Sequence, residues 1–163
     1  MQLVNVRVDS RLIHGQVARV WTGQLGAERL MVVGDKVSKD DLEKTALKLA
    51  RPTQAALSIL PPDRASNNIV QGRYADQKIF IITREPEALV EMVEAGVPIK
   101  EVNVGNLPSG EGRLQLFKSV GVNDEEIKAF KELDARGVKL YHQMVPNDPR
   151  EDFMSELNKR MEK

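Results

Sequence analysis

The sequence predicts an α/β fold in which helices cover both faces of a central, mostly parallel β-sheet. Short apolar runs alternate with helical patterns along all 163 residues, which is typical of strand–helix–strand units. Several of the runs are almost continuously apolar, as strands buried on both faces are. The length fits one core, so we expect residues 1–163 to form a single domain.

The N-terminal half alternates strand and helix. Residues 15–25 carry Val17, Val20 and Trp21 at helical spacing, and Ser38 is expected to cap the second helix in a variant of the capping box with Asp41 at the third position. Polar turns separate these elements. Strands are predicted at 3–8, 29–34, 55–60 and 78–83, and helices at 15–25, 38–50 and 62–72.

Proline and glycine mark the elements of the C-terminal half. Pro86 is expected in the first turn of a helix at 86–95 that Gly96 follows, and Gly137 is expected to close another helix. Strands are predicted at 100–104, 114–117 and 138–145, and the other helices at 124–136 and 149–161. In such a sheet, ligands bind outside the carboxyl ends of the strands. The loops that follow strands are therefore the places to search for a site.

The composition excludes several classes of function. Basic and acidic residues balance at 24 each, so no global field favours nucleic acid or an anionic membrane. The absence of cysteine excludes disulfides, a thiolate nucleophile and cysteine-based metal sites. No apolar signal region follows the N-terminus, and no run approaches the roughly 18 apolar residues of a membrane span. We therefore expect a cytosolic protein.

Common catalytic motifs are also missing from the sequence. It contains no G-x-x-x-x-G-K-[ST] phosphate loop, no G-x-G-x-x-G after the first strand, no G-x-S-x-G elbow and no H-E-x-x-H. The two histidines, His14 and His142, are too few for a histidine-rich metal site, so no metal ligand is predicted. The carboxylates are numerous, but their spacing singles out no pair.

The loop V-D-S-R-L-I-H-G-Q-V between the first strand and the first helix does carry chemistry. His14 precedes the helix, and Gly15 and Gln16 begin its first turn, where free N–H groups favour a phosphate and disfavour an imidazolium. A neutral imidazole can attack phosphorus. Arg11 is placed to hold phosphate oxygens, and Asp9 to fix Arg11 or to orient the imidazole.

Each of these residues also has a purely structural interpretation. A single histidine at a helix start is often a capping or surface residue, Arg11 fits a solvated surface, and Asp9 fits a cap for the turn. His142, inside a predicted strand, fits a structural role. Trp21 fits core packing better than an interface.

The same loop carries a resemblance to a known family. R-V-D-S-R-L-I-H-G-Q-V, with Trp21 following, resembles the active-site signature of the IIB subunits of the mannose/fructose/sorbose family of the phosphoenolpyruvate-dependent sugar phosphotransferase system. Further similar stretches follow in order along essentially the whole chain: V-V-G-D-K-V, L-K-L-A, E-A-G-V-P-I-K, N-V-G-N and K-S-V-G-V-N-D-E-E-I.

The resemblance implies an α/β fold with a mixed sheet and a role as a phosphocarrier. A IIA phosphohistidine would donate its phosphoryl group to His14, on Nδ1, and His14 would pass it to a sugar held by the membrane partners IIC and IID. Arg11 and Asp9 fall on the family's arginine and acidic positions. The resemblance also implies a cytoplasmic protein held at the inner membrane by its partners, and it leaves a homodimer open. Such transfer needs no metal or organic cofactor.

The sequence departs from the family pattern at Ser10, at 61–63 and at 107–110, away from the His–Gly–Gln core. These departures bear on partner specificity rather than on transfer. We expect an apolar rim around His14 for protein partners, with Leu12, Ile13 and Trp21 as candidates, although core positions fit them too. Two rival functions stay open: a non-catalytic regulatory or anion-binding module, and a small-molecule enzyme with its site at another loop.

Overall fold

A computed structural model describes residues 1–162 of the chain. The strands are β1 (Gln2–Asp9), β2 (Arg29–Val33), β3 (Ala56–Leu60), β4 (Lys78–Thr83), β5 (Glu101–Asn106), β6 (Leu114–Phe117), β7 (Val120–Val122), β8 (Lys139–His142) and β9 (Glu151–Asp152). The helices are α1 (Gly15–Leu25), α2 (Asp35–Lys39), α3 (Asp41–Ala50), α4 (Pro62–Val70), α5 (Pro86–Glu94), α6 (Asp124–Ala135) and α7 (Phe153–Met161).

Seven strands form one sheet in the order β3-β2-β4-β1-β5-β8-β9. The pairs from β3 to β8 are parallel, and only the short β9 runs antiparallel to β8. The strands β6 and β7 form a separate antiparallel pair. The predicted fold class, a mostly parallel mixed sheet, is therefore confirmed.

Both faces of the sheet are covered, as predicted. One face packs against α1, α2 and α3 through a cluster that includes Ala18, Trp21, Val37 and Leu47. The other face packs against α4, α5, α6 and α7 in a larger cluster. Apolar side chains of the central strands, such as those of Val8 and Ile82, thus lie between two layers of helix and are fully buried. This burial explains why those strands read as continuous apolar runs.

The connections reverse direction beside β1. From β1 the chain passes through α1 on one face of the sheet and continues to β2, toward the β3 edge. From β4 it passes through α5 on the opposite face and continues to β5, toward the β9 edge. Since β1 and β4 are neighbours, the crevice at their carboxyl ends is the topological switch point of the sheet. The loops at residues 10–14 and 84–85 form this crevice.

Several predicted boundaries were wrong. Ser38 does not cap a helix: it lies inside α2, and the cap of α3 is Asp40, whose carboxylate accepts a hydrogen bond from the Glu43 amide at 3.0 Å. The run S-K-D-D offers three residues of the capping type, and the structure uses Asp40. The short α2, β7 and β9 were not predicted, because two to five residues are too few to show a period.

The C-terminal elements are shorter than predicted. The strand expected at 138–145 ends at His142, because the carbonyls of Gln143 and Met144 turn aside to accept hydrogen bonds from the Arg7 guanidinium. The helix expected from residue 149 begins at Phe153, after Asp152, whose carboxylate accepts a hydrogen bond from the Ser155 amide.

Candidate functional site

The loop that carries His14 lies at the switch point, at the carboxyl end of β1. Asp9 ends the strand and folds the loop back, since its carboxylate accepts a hydrogen bond from the Arg11 amide at 2.9 Å and its carbonyl accepts one from the Leu12 amide at 3.1 Å. Ser10 ties the loop to the neighbouring strand through its hydroxyl, 2.7 Å from Asn106 Oδ1. The loop is therefore held in place before α1 begins.

Leu12 and Ile13 anchor the loop from below. Both side chains are buried and join the cluster on the α1 face of the sheet. Leu12 adopts the left-handed conformation at φ +57°, which is uncommon for a residue with a side chain. The anchoring turns the next residue, His14, outward at the start of the helix.

Three candidates for an apolar rim therefore lie in the core. Leu12, Ile13 and Trp21 are each no more than 4% exposed. Their apolar side chains gain more from burial under the loop than from contact with solvent. The expectation of an exposed docking rim is therefore wrong, and the core position that the sequence also allowed for these residues, and favoured for Trp21, is confirmed.

His14 occupies the N-cap position of α1. Its backbone is extended, and its side chain does not bond back to the helix, so the amides of the first turn keep their free N–H groups. Gly15 and Gln16, which begin that turn, are both exposed. A Cβ built on Gly15 would meet no atom within 4 Å, so open space lies over the start of the helix.

The two ring nitrogens of His14 differ in accessibility. Nε2 is buried and has no hydrogen-bond partner among residues 1–162. Nδ1 is not enclosed in this way, and no side-chain hydrogen bond occupies it in the described chain. One ring nitrogen is therefore enclosed, and the other remains accessible.

The surroundings of His14 favour its neutral form. Burial lowers the pKa of the imidazole below its usual value, the positive charges of Arg11 and Arg7 lower this pKa further, and Asp9 opposes them. The sequence analysis expected a neutral ring because of the helix N-terminus. The structure supports the same protonation state through burial and two guanidinium groups.

Asp9 joins two arginines that differ in exposure. Its Oδ2 lies 3.3 Å from Arg7 Nε and its Oδ1 lies 3.6 Å from Arg11 Nε. The side chain of Arg7 is 2% exposed, that of Asp9 is 1% exposed, and that of Arg11 is 43% exposed. Because only Nε of Arg11 faces Asp9, its terminal amino groups remain available to a ligand.

Arg7 is a site-forming residue that the sequence analysis missed. Its guanidinium donates hydrogen bonds to the carbonyls of Gln143 at 2.9 Å and Met144 at 3.2 Å, and it lies 5.5 Å from the ring of Trp21. A Cβ on Gly105 would come within 2.1 Å of this guanidinium, so only glycine leaves room for it. A charged residue inside a strand that is buried in the middle of the sheet was the signal that could have revealed this network.

Arg84 is a second such residue. It lies in the loop after β4, where its Nε donates a hydrogen bond to the carbonyl of Ser10 at 2.8 Å. Its terminal amino group pairs with the carboxylate of Glu43 on α3. Arg84 therefore joins the two loops of the crevice, and the rule that ligands bind at the switch point was the signal that could have found it.

His142 has the structural role that its position in a strand favoured. It is buried, its Nδ1 lies 2.6 Å from the carbonyl oxygen of Val104, and its ring stacks on Phe117 with centroids 4.3 Å apart. It has no part in the crevice that His14 faces.

Comparison with known proteins identifies the family. A family model described as "PTS system sorbose subfamily IIB component" matches residues 3–163. The chain belongs to this family. Its fold also matches the crystal structure of the IIBSor domain of the sorbose permease from Klebsiella pneumoniae, with a TM-score of 0.93, 33% identity and 98% of each chain covered.

Two curated relatives show the range of the sorbose-subfamily IIB components. The sorbose-specific EIIB component of Lacticaseibacillus casei is 34% identical over 158 residues, which cover 97% of this chain and 96% of the relative. The mannose-specific EIIAB component of Escherichia coli is 36% identical over 156 residues, which cover 94% of this chain and 47% of that longer protein. The resemblance stated from the sequence is thus confirmed.

Membership in the IIB family decides between the functions left open above. The chain is a component of a sugar phosphotransferase system and thus a phosphotransferase, which carries a phosphoryl group toward a sugar. The comparisons do not favour the non-catalytic module.

Proposed function

We propose that His14 is the residue of this IIB component that carries the phosphoryl group, on Nδ1. The observation that supports this most directly is an imidazole at the N-terminus of α1 whose Nε2 is enclosed while Nδ1 is not, and whose pKa is lowered by burial. The enclosed Nε2 leaves Nδ1 as the nitrogen that a partner can reach. A nucleophile needs that lone pair free of a proton, which the lowered pKa favours.

In the proposed first step, the lone pair of His14 Nδ1 attacks the phosphorus of a phosphohistidine on a IIA partner. The new N–P bond forms as the old one breaks, and the electron pair of the broken bond returns to the donor imidazole. In the second step a sugar hydroxyl attacks the same phosphorus, His14 leaves as imidazole, and the hydroxyl proton is released. Both steps require the attacking and leaving groups to lie in line with phosphorus.

The chain would stabilise the transferred group by positioning positive charge around its oxygens. Gly15 and Gln16 supply first-turn amides, and Arg11 supplies a guanidinium that suits the phosphate geometry. The exposed Gln16 side chain adds a further donor. Asp9 acts through Arg11 and through the loop backbone, so we assign it a positioning role.

We further propose that the partners of this chain are a IIA donor, the membrane components IIC and IID, and a sugar. The mannose-specific relative is named as an EIIAB component, in which the part similar to this chain spans 47% of the protein. None of the helices within residues 1–162 combines the length and apolar character that a membrane span needs. We propose a cytoplasmic location at the membrane through those partners, with residues 1–163 as one domain.

Phosphorylation with a labelled donor tests the assignment of His14. We expect phosphorylated IIA to transfer its label to this protein as an acid-labile, base-stable adduct, and we expect His14→Gln to abolish the transfer because the nucleophile is lost. His142→Gln is the matched control, since it changes the other histidine outside the crevice. Mass spectrometry of the labelled peptide then locates the adduct. Undiminished labelling of the His14→Gln variant would contradict the proposal.

A further inference from the structure

A second polar pocket lies at the edge of the sheet, away from His14. It has a volume of about 360 Å³ and lies between the outermost strand β3, the start of β2, the helix α4 and the connection from α4 to β4. Its walls carry three arginines and no aspartate or glutamate. The lining residues are Arg29, Ser58, Leu60, Arg64, Asn68, Arg73, Tyr74 and Gln77.

The guanidinium of Arg29 is held in place by uncharged partners, so its positive charge is not neutralised. Its Nε donates to Gln77 Oε1 at 2.7 Å, its Nη1 donates to Ser58 Oγ at 2.8 Å, and its guanidinium lies 5.0 Å from the centre of the Tyr74 ring. All of these partners are uncharged. Within residues 1–162 the half-buried guanidinium has no ion pair, and its second terminal amino group has no hydrogen-bond acceptor.

The other polar groups of the pocket are mostly donors as well. The side chains of Arg64 and Arg73 are exposed and form no ion pair in the described part of the chain. Ser58 Oγ accepts from Arg29, and the Tyr74 hydroxyl accepts from Asn68 Nδ2 at 3.2 Å, so both hydroxyl protons stay available. A pocket that offers donors and positive charge suits an anion with several acceptor oxygens.

We propose that this pocket binds the phosphate group of a small phosphorylated molecule, or phosphate itself. Arginine is the side chain whose planar fork fits phosphate oxygens, and three arginines with two hydroxyls match the dianion and its three terminal oxygens. The volume suits a small ligand rather than a macromolecule. The pocket borders β3, whereas His14 follows β1, and β2 and β4 separate these two strands by about 14 Å across the sheet. The pocket therefore adds a ligand site to the phosphocarrier.

Titration of the full chain, free of phosphoryl group, tests this inference. The probes are glucose 6-phosphate, inorganic phosphate, glucose and acetate, followed through backbone amide chemical shifts. We expect both phosphates to shift the amides of Ser58, Asn68 and Arg73 with saturation, and glucose and acetate to leave them unchanged. Tighter binding of glucose 6-phosphate identifies a phosphorylated metabolite as the ligand, whereas equal or weaker binding identifies free phosphate.

Variants separate this pocket from the loop of His14. We expect Arg64→Gln and Arg73→Gln each to weaken phosphate binding about tenfold, because each removes a charge-assisted hydrogen bond. Arg160→Gln, which removes an arginine paired with Glu156 on α7, is the matched control and should bind normally.

Phosphorylation of the same variants adds a second readout. Arg73→Gln should accept the phosphoryl group on His14 at the normal rate, since it lies outside that crevice. Shifts confined to residues 9–17, an equal response to acetate, or the same loss in Arg160→Gln as in Arg73→Gln would each overturn the proposal.

Discussion

The His14 site contains two arginine–aspartate pairs that share Asp9: a buried half with Arg7 and an exposed half with Arg11. Asp9 faces Arg7 on one side and Arg11 on the other, at 3.3 and 3.6 Å. Arg7 is enclosed and its guanidinium is shared with two carbonyls, while Arg11 is 43% exposed and has free amino groups. One arginine is therefore part of the framework, and the other is available to a ligand.

The difference shows that exposure, rather than residue type or spacing, separates a structural from a functional arginine here. A buried ion pair is costly to break, because removal of one partner leaves the other charge in the low-dielectric interior. An exposed pair contributes little to stability, because water screens it. Each half of the site should therefore respond to substitution in its own measurable way.

The largest effect is expected from Arg7→Leu in the buried half. This change leaves the Asp9 carboxylate buried without its closest cation, and it leaves the Gln143 and Met144 carbonyls without donors. We expect the free energy of unfolding to fall by about 3–5 kcal/mol, measured by urea denaturation.

Gly105→Ala probes the same guanidinium without removing a charge. Its methyl group would lie 2.1 Å from Arg7 Cζ, so the guanidinium has to move. We expect a loss of about 1–3 kcal/mol. If both variants unfolded at the wild-type urea concentration, the buried half would have no framework role and the comparison would fail.

A smaller and different effect is expected from Arg11→Ala in the exposed half. We expect phosphoryl transfer from IIA to slow about tenfold, equivalent to about 1.4 kcal/mol in the barrier, because one charge on the phosphate oxygens is lost. The free energy of unfolding should change by less than about 1 kcal/mol. Arg19→Ala, on the exposed side of α1, is the control for loss of a nearby charge. An unchanged transfer rate with a large loss of stability would assign Arg11 to the framework instead.

Local sequence was sufficient for most of the fold. The run K-I-F-I-I-T predicted a strand at Lys78–Thr83, and the structure has the same bounds, because a continuous apolar run of this length is typical of a strand buried on both faces. Ser38 was a wrong choice of cap because capping depends on which of several polar side chains reaches the helix amides. That choice depends on local geometry which composition does not encode.

The site was only half predictable for a related reason. His14, Arg11 and Asp9 lie within one six-residue loop, so the local pattern made them candidates, and the resemblance to the IIB family supplied their expected roles. The hydrogen bond from Arg7 to Gln143 joins residues 136 positions apart, and no local pattern indicates such a contact. The position of Leu12 stayed undecided in the sequence analysis, because an apolar residue beside such a loop fits an exposed rim and a buried anchor equally well.

The smallest expected effect is a shift in the pKa of His14, to which both the buried Arg7 and the exposed Arg11 contribute. Burial, Arg11 and Arg7 lower the pKa of His14 in the folded chain. The imidazole signals should therefore titrate with a midpoint below 6.5 when followed by NMR, and nearer to that value in urea.

Since the unfolded chain binds more protons in this range, the His14 contribution to stability is present above pH 6.5 and is lost as the pH falls toward the folded pKa. Arg11→Ala should raise the midpoint, because it removes a positive charge beside the ring. A midpoint above 6.5 in the folded chain would mean that Asp9 dominates the site, and the neutral nucleophile would have to be abandoned.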